Sequence, residues 1–467
     1  MSLIKSISGI RGTIGGTMGD NLTPLDAVKF ASAYGAWLLK RNASLPSDSR
    51  VKVVLGRDAR ISGKMISSLV ANTLVGLGID VLDLGLSTTP TVEVAVPMES
   101  AHGGIIITAS HNPKQWNALK LLNESGEFLN AADGQEILTL AENGDFDFAA
   151  VDDLGAYSKD VSYLEKHVAA VLQLDLVDVA AIKKAKFKVV LDAVNSTGGI
   201  FIPALLDALG VTCVKLYCEP NGQFPHNPEP LKEHLGEISK QVVLEKAHLG
   251  IVVDPDVDRL ALVCEDGAMF GEEYTLVACA DYVLGALKGG NTVSNLSSSR
   301  ALRDVTEKHG GSYTASAVGE VNVVVAMKET HAVIGGEGNG GIIYPESHYG
   351  RDSLVGVALF LSHLAKSGMS CKELRASYPS YFMSKNKIEL TPALDVDAIL
   401  REIADQYKNE QVSTIDGVKI DFPSEWVHLR KSNTEPIIRI YTESTSQEKA
   451  DALAHTLLTK IKEIAGR

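Results

Sequence analysis

Short, almost wholly apolar runs recur along this chain, each separated from the next by a segment of helical spacing, and this alternation restricts the fold more than any other feature. VKVVLG at 51–56 reads as a strand, 62–78 as a helix and 80–85 as a second strand, followed by the all-apolar GGIIIT at 103–108. A strand apolar at successive positions leaves no face for water, so the spacing predicts parallel sheet covered by helices on both faces. The grammar repeats. FKVVLDA at 187–193 and the runs at 211–218 and 249–253 are strands, with helices from about 197 and over 231–247. A third set comprises a helix at 274–287, a strand at 292–296, a helix after Ser299, a strand at 331–334 and a helix at 353–366. Beyond about 370 the order changes. Strands at 385–390, 417–422, 426–429 and 437–442 gather around helices at 395–408 and 447–465, which is α+β grammar. At 467 residues the chain is too long for one core. We therefore expect three α/β domains, at 1–153, 154–266 and 267–370, and an α+β domain at 371–467.

Bulk composition narrows the function. Hydrophobic residues make up 45% and charged residues 22%, as in ordinary globular chains. The formal net charge of −14 disfavours a nucleic-acid partner, whose phosphates would be repelled, yet leaves room for a locally basic pocket holding a small anion. The five cysteines have no metal-knuckle spacing and read as buried thiols of a reducing compartment. MSLIKSISGIRGT has no apolar signal core, and no apolar run approaches a membrane span. A cytoplasmic protein without a membrane partner is expected.

Four loops carry the chemistry. Thr108-Ala109-Ser110-His111-Asn112-Pro113 follows the strand GGIIIT, where α/β sheets present their ligands. Pro113 disfavours helical geometry at Asn112, so the loop is expected to be extended with Ser110 exposed. Six such residues also suit a plain polar turn. In Asp254-Pro255-Asp256-Val257-Asp258-Arg259, three carboxylates at alternate positions of an extended segment can converge on one hard cation, and magnesium suits that oxygen set. Carboxylates crowded beside an apolar strand are costly without a cation. Arg259 adds a planar fork suited to a phosphoryl oxygen.

Gly335-Gly336-Glu337-Gly338-Asn339-Gly340-Gly341 lets backbone approach a ligand closely and offers one carboxylate to sugar hydroxyls, though glycine-rich turns are common. Arg430-Lys431-Ser432-Asn433-Thr434-Glu435-Pro436 lies between two strands and has the makings of a phosphate cradle, or of a solvated hairpin tip. Arg11 stands between glycines in GIRGT, and GRDAR occupies 56–60. Lys120 falls on a strand over 119–122 that can return towards Ser110, where a lysine can move protons.

In order and separation these loops resemble the α-D-phosphohexomutase superfamily over nearly the whole chain. TASHNP is similar to its phosphoserine loop, DPDVDR to its metal loop, GEGNGG to its sugar-recognition loop and RKSNTEP to its phosphate-binding loop. The resemblance implies four domains around a central cleft, three α/β and one α+β. It implies that Ser110 carries the phosphoryl group and, with Asp254, Asp256 and Asp258, completes the shell of one magnesium ion. Arg11 and Arg259 would contact the transferring phosphoryl, and Lys120 and His111 would serve as general acid or base. Glu337 and Asn339 would meet the sugar, and Arg430, Ser432, Asn433 and Thr434 the phosphate that does not react. The substrate implied is a hexose phosphate, with a hexose 1,6-bisphosphate as intermediate and catalytic activator.

Asn339 and Gly341 stand where many mannose/glucose enzymes have serine and histidine, whereas GEGNGG with the YGRD run at 349–352 and NLSSSR at 295–300 is closer to archaeal-type phosphoglucosamine and broad phosphohexomutases. Asn433 replaces the glycine of typical bacterial phosphoglucosamine mutases. Glucosamine phosphate is the substrate expected, with mannose or glucose phosphate as the alternative. A phosphatase that hydrolyses its phosphoserine would need no second phosphate cradle, and a catalytically dead sensor would not need Ser110 or the three aspartates.

Overall fold

The computed structural model describes residues 2–6, 9–46, 49–389, 395–431 and 437–466. The chain forms two compact units, one of Met1–Tyr282 with Asn339–Arg375 and the other of Val283–Gly338 with Ala376–Arg467.

In the first unit a seven-stranded sheet runs in the order Ile4–Ser6, Gly9–Thr13, Trp116–Leu122, Gly103–Ile107, Lys52–Arg57, Asp80–Leu86, Tyr157–Lys159. The expected burial of both faces is there. Val53, Leu55, Ile105 and Ile107 pack on Phe30, Trp37, Ile66, Val70 and Leu74, while the alternate residues Val54 and Ile106 join a separate core with Val92, Val96 and Tyr163. Successive strand side chains point to opposite faces, so the apolar run fills two cores at once. One helix of the first core, Pro24–Arg41, lies outside the elements expected above. Its start is locally encoded, with Thr23 as cap in a capping box with Asp26 and Pro24 in the first turn.

A second sheet in this unit has the order Leu260–Cys264, Leu249–Val253, Lys188–Asp192, Thr212–Leu216. The helix expected over 231–247 is shorter: Lys232–His234 form a 3-10 turn and the α-helix spans Gly236–Leu244.

The sheets are mixed, which corrects the all-parallel expectation. Gly103–Ile107 pairs in parallel with Lys52–Arg57 but antiparallel with Trp116–Leu122. Leu249–Val253 likewise pairs in parallel with Lys188–Asp192 and antiparallel with Leu260–Cys264. The connections holding Ser110 and Asp254–Arg259 are too short to house a crossover helix, so the chain must turn straight back. Both chemistry-bearing loops are therefore hairpin loops.

In the second unit Asn291–Asn295 lies in parallel between Tyr313–Ser316 and Ala332–Glu337. A five-stranded antiparallel sheet of Phe382–Glu389, Ile437–Ser444, Trp426–Lys431, Val418–Asp421 and Gln411–Ser413 carries the helices Val396–Gln406 and Gln447–Ala465 over one apolar core. This is the α+β arrangement expected. Among the described residues no helix is long and apolar enough to cross a membrane.

Candidate active site

The two hairpin loops of the first unit meet. Ser110 Oγ donates to Asp254 Oδ2 at 2.8 Å, and its own neighbour His111 places Nδ1 3.4 Å from that Oγ. Ser110 is not exposed on an extended loop as expected. It is 7% exposed and left-handed at φ 47°, and turns close at Asn112 N to Ala109 O and at Trp116 N to Pro113 O. The reason is Arg60. Its guanidinium donates to the carbonyls of Pro113 and Trp116 at 2.7 and 2.9 Å, of Asn112 at 2.6 Å, and of Ser110. Gathering four carbonyls around one planar fork folds the loop inward. Asp58 holds Arg60 Nε at 3.0 Å and accepts from Thr108 Oγ1 at 2.7 Å, and Thr108 Oγ1 in turn accepts from Ser110 N at 3.0 Å.

The aspartate loop is also a turn rather than an extended segment. Val257 N donates to Asp254 O, and Val257 itself is left-handed at φ 65°. A β-branched residue in that region is strained, and such strain concentrates at functional sites. Asp254, Asp256 and Asp258 are fully buried, and one ligand oxygen from each lies within 4.8 Å of the others. Asp254 Oδ1 accepts from the N–H groups of Asp258 and Arg259, both at 3.1 Å. Asp256 Oδ2 takes Lys120 Nζ at 2.7 Å and Thr89 Oγ1 at 2.5 Å; Asp258 Oδ2 takes Arg351 Nη2 at 2.7 Å and Lys120 at 3.3 Å.

Two buried oxygens, Asp256 Oδ1 and Asp258 Oδ1, have no hydrogen-bond donor among the described residues. Burial, reinforced by Asp258 and Asp256, pushes the Asp254 carboxyl well above the usual range. Asp256 moves the other way, because Lys120 and its hydrogen bonds outweigh the cost of burial. Oxygens of an octahedral cation shell stand about 3–4 Å apart. The triad therefore fits a small divalent cation, which would relieve both the crowding and the two orphaned oxygens.

Around the triad stand cations. Burial lowers the pKa of Arg11, and the nearby Arg259 lowers it further. Arg259 is 8% exposed, with Nη1 3.3 Å from Glu229 and Nε 4.0 Å from Asp258. His111 is driven well below its ordinary pKa by burial and by Arg259, with lesser contributions from Arg351 and Arg11, so it stays neutral. Lys120, by contrast, is held above the lysine range: burial opposes its charge, but Asp256 and Asp258 prevail. Guanidinium groups pressed together in this way are complementary to a dianion such as a phosphoryl group.

In the second unit Glu337 is buried, with Oε1 accepting from Asn295 Nδ2 at 2.8 Å and from Gly319 N at 3.2 Å. Arg430 Nε donates to Asp416 at 2.9 Å. In the first unit Asn339 Oδ1 accepts from Gly341 N, and Gly340, at φ 87°, sits so close to Leu260 that an added Cβ would lie 2.3 Å from its carbonyl. Ser432, Asn433 and Thr434 lie outside the described residues. Thr89 and Arg351 were not singled out from sequence for a site role. Their contacts to Asp256 and Asp258 are long-range; nothing local marks Thr89, and the YGRD run that contains Arg351 does not by itself point to Asp258.

Four family models match the chain in succession: phosphoglucomutase/phosphomannomutase α/β/α domain I at residues 3–148, domain II at 163–267, domain III at 271–381 and the C-terminal domain at 387–460. These define the class: a four-domain phosphohexomutase, an enzyme that relocates a phosphoryl group within one sugar. A phosphoglucomutase/phosphomannomutase of Thermococcus kodakarensis is 36% identical over 94% of this chain and 95% of its own. A phosphoglucosamine/phosphogalactosamine mutase of Sulfurisphaera tokodaii is 31% identical over 99% of both. Among solved structures, a phosphoglucomutase/phosphomannomutase family protein from Burkholderia thailandensis superposes with a TM-score of 0.83 at 25% identity, over 99% of this chain and 98% of its own. The chain belongs to the phosphoglucomutase/phosphomannomutase family of the α-D-phosphohexomutase superfamily.

Proposed function

We propose that the protein interconverts hexose 6-phosphate and hexose 1-phosphate through a phosphorylated Ser110, with glucosamine phosphate as its preferred substrate. The observation that carries the mechanism is the hydrogen bond from Ser110 Oγ to Asp254 of the buried aspartate triad, with Arg259 beside Asp258. Asp254, Asp256 and Asp258 would hold magnesium, with a phosphoserine oxygen as further ligand. Bound there, the ion would offset charge on the phosphoryl oxygens.

The chain's own groups supply the rest. The bond from Ser110 Oγ to phosphorus breaks as the sugar hydroxyl oxygen bonds to phosphorus. The hydroxyl proton passes to the neutral imidazole of His111; Lys120, charged beside Asp256 and Asp258, serves as a proton donor, and Arg11 and Arg259 hold the phosphoryl in transit. The resulting 1,6-bisphosphate turns over and returns its other phosphoryl to Ser110. Glu337 and Asn339 would hold sugar hydroxyls, and Arg430 with Ser432, Asn433 and Thr434 the phosphate at rest. Added hexose 1,6-bisphosphate would restore enzyme that has lost its phosphoryl group.

The Sulfurisphaera relative's name supports an amino sugar, while the Thermococcus relative's name supports glucose and mannose phosphates as the second reading. Rates on glucosamine 6-phosphate, glucose 1-phosphate and mannose 1-phosphate, with magnesium and catalytic bisphosphate, decide between them. The highest kcat/KM is expected for glucosamine 6-phosphate; a higher value for either other sugar would select the second reading. Phosphate release without bisphosphate stimulation would point to a phosphatase instead.

The metal assignment has its own test, read by calorimetry rather than by turnover. Asp256→Ala is expected to weaken magnesium binding by more than the roughly 10–100-fold that loss of an outer-shell partner costs. Unchanged affinity would remove the ion from this triad.

A further inference from the structure

Within the second unit, Glu337 is joined to Asp416, the carboxylate partner of Arg430, by two routes of hydrogen bonds and short backbone steps that together form a ring. Asp416 lies in the turn between the strands Gln411–Ser413 and Val418–Asp421. Its carboxylate takes Arg430 Nε at 2.9 Å on one oxygen and 2.8 Å on the other. Oδ2 also accepts from Val318 N at 3.0 Å, and the next residue, Gly319, donates its N–H to Glu337 at 3.2 Å. A second route returns through the backbone. Asp416 O accepts from His428 Nε2 at 2.7 Å, and His428 Nδ1 faces Ser297 Oγ at 2.8 Å. Ser297 N donates to Asn295 Oδ1, and Asn295 Nδ2 donates to Glu337 at 2.8 Å. Burial brings His428 down to about 4, so the ring at this point is a neutral imidazole with one donor and one acceptor, a fixed tautomer.

We propose that Asp416 is a positioning residue that sets the orientation of Arg430 and its spacing from Glu337, so that the sugar and its resting phosphate are recognised at one fixed separation. By taking Nε–H, the carboxylate leaves the two terminal amines, the part of the fork that grips a phosphate in bidentate fashion, to the ligand. By taking Val318 N–H with the same group, it ties that fork to the segment that orients Glu337. A lysine at 430 would offer no such division of donors.

This inference rests on the reading of Arg430 as a phosphate-binding group, and the experiment separates the two. The kcat and KM for the preferred hexose phosphate are measured for Asp416→Ala, Asp416→Asn, Arg430→Ala and the Asp416→Ala/Arg430→Ala double variant. Asp416 stands on a partly exposed turn beside the exposed Ile415, so truncation leaves the core intact. Asp416→Ala is expected to raise KM by about tenfold with kcat within about threefold of wild type, since ground-state and transition-state binding are lost together. Asparagine keeps one acceptor oxygen and should recover part of that loss. The double variant should be no worse than Arg430→Ala alone, because the two groups act as one unit.

If Arg430→Ala raises KM while Asp416→Ala does not, the positioning role falls and the phosphate reading stands. If Arg430→Ala leaves KM unchanged, the phosphate reading falls and this inference with it. Losses that multiply in the double variant would show Asp416 acting apart from Arg430, which also overturns the proposal.

Discussion

Alanine at position 110 is expected to lower mutase turnover by about 10⁴-fold or more while leaving the fold and the affinity for hexose phosphate near wild type. Oγ is the one atom in the proposed cycle that both gives and receives the phosphoryl group, so no neighbouring side chain can substitute for it. Its structural work is small by comparison. Beyond the backbone, the hydroxyl donates to Asp254 and faces His111, and its loop is held by Arg60 acting on carbonyls that alanine retains. The left-handed backbone at 110 is no harder for alanine than for serine. Stopped-flow or coupled assays of the variant, with calorimetric titration of the hexose phosphate beside them, separate chemistry from binding. Incubation of wild type with labelled hexose bisphosphate should transfer label to the protein, and the variant should take up none. Turnover within tenfold of wild type would remove the phosphoserine from the mechanism.

Residues close together in the chain were the legible part of the site. TASHNP and DPDVDR concentrate hydroxyl, imidazole and carboxylate groups at strand ends, and the structure does bring Ser110, the three aspartates and Lys120 together. What short motifs could not convey is how far each depends on distant partners. Arg351 reaches Asp258 across 93 residues, Thr89 reaches Asp256 across 167, and Arg60 gathers a loop about 50 residues away. A hydrogen bond over such separations leaves no period and no spacing. The same blindness produced the error over Ser110: Pro113 argues for extended backbone locally, and tertiary hydrogen bonds from Arg60 overrode it. Strand direction was hidden for a related reason. A strand buried on both faces looks alike whether its neighbour is parallel or antiparallel, and only the short loops at 108–115 and 254–259 distinguish the cases. The helix Pro24–Arg41 is different, because its capping box, early proline and terminal Lys40 and Arg41 were all readable from local residues.

Arg60 carries the largest expected effect on stability. The side chains of Arg60 and Asp58 are both 0% exposed, and the guanidinium serves four loop carbonyls besides its carboxylate partner. Arg60→Met would leave Asp58 as an uncompensated buried charge, which ordinarily costs about 3–5 kcal/mol. Urea unfolding followed by circular dichroism should show a loss of that size, and a loss under about 1 kcal/mol would contradict the role assigned to the pair. Arg60→Lys should also fail in turnover, since one ammonium cannot span carbonyls that a planar fork holds together. The informative variant is the pair Asp58→Leu/Arg60→Met. Replacing both charges by apolar groups removes the stranded carboxylate, so much of the stability should return. Turnover should not return with it, because the carbonyls of Ser110, Asn112, Pro113 and Trp116 remain without the donor that turns Ser110 towards Asp254. Recovery of stability without recovery of turnover would show that this buried ion pair is retained for the geometry of the Ser110 loop rather than for the stability of the fold.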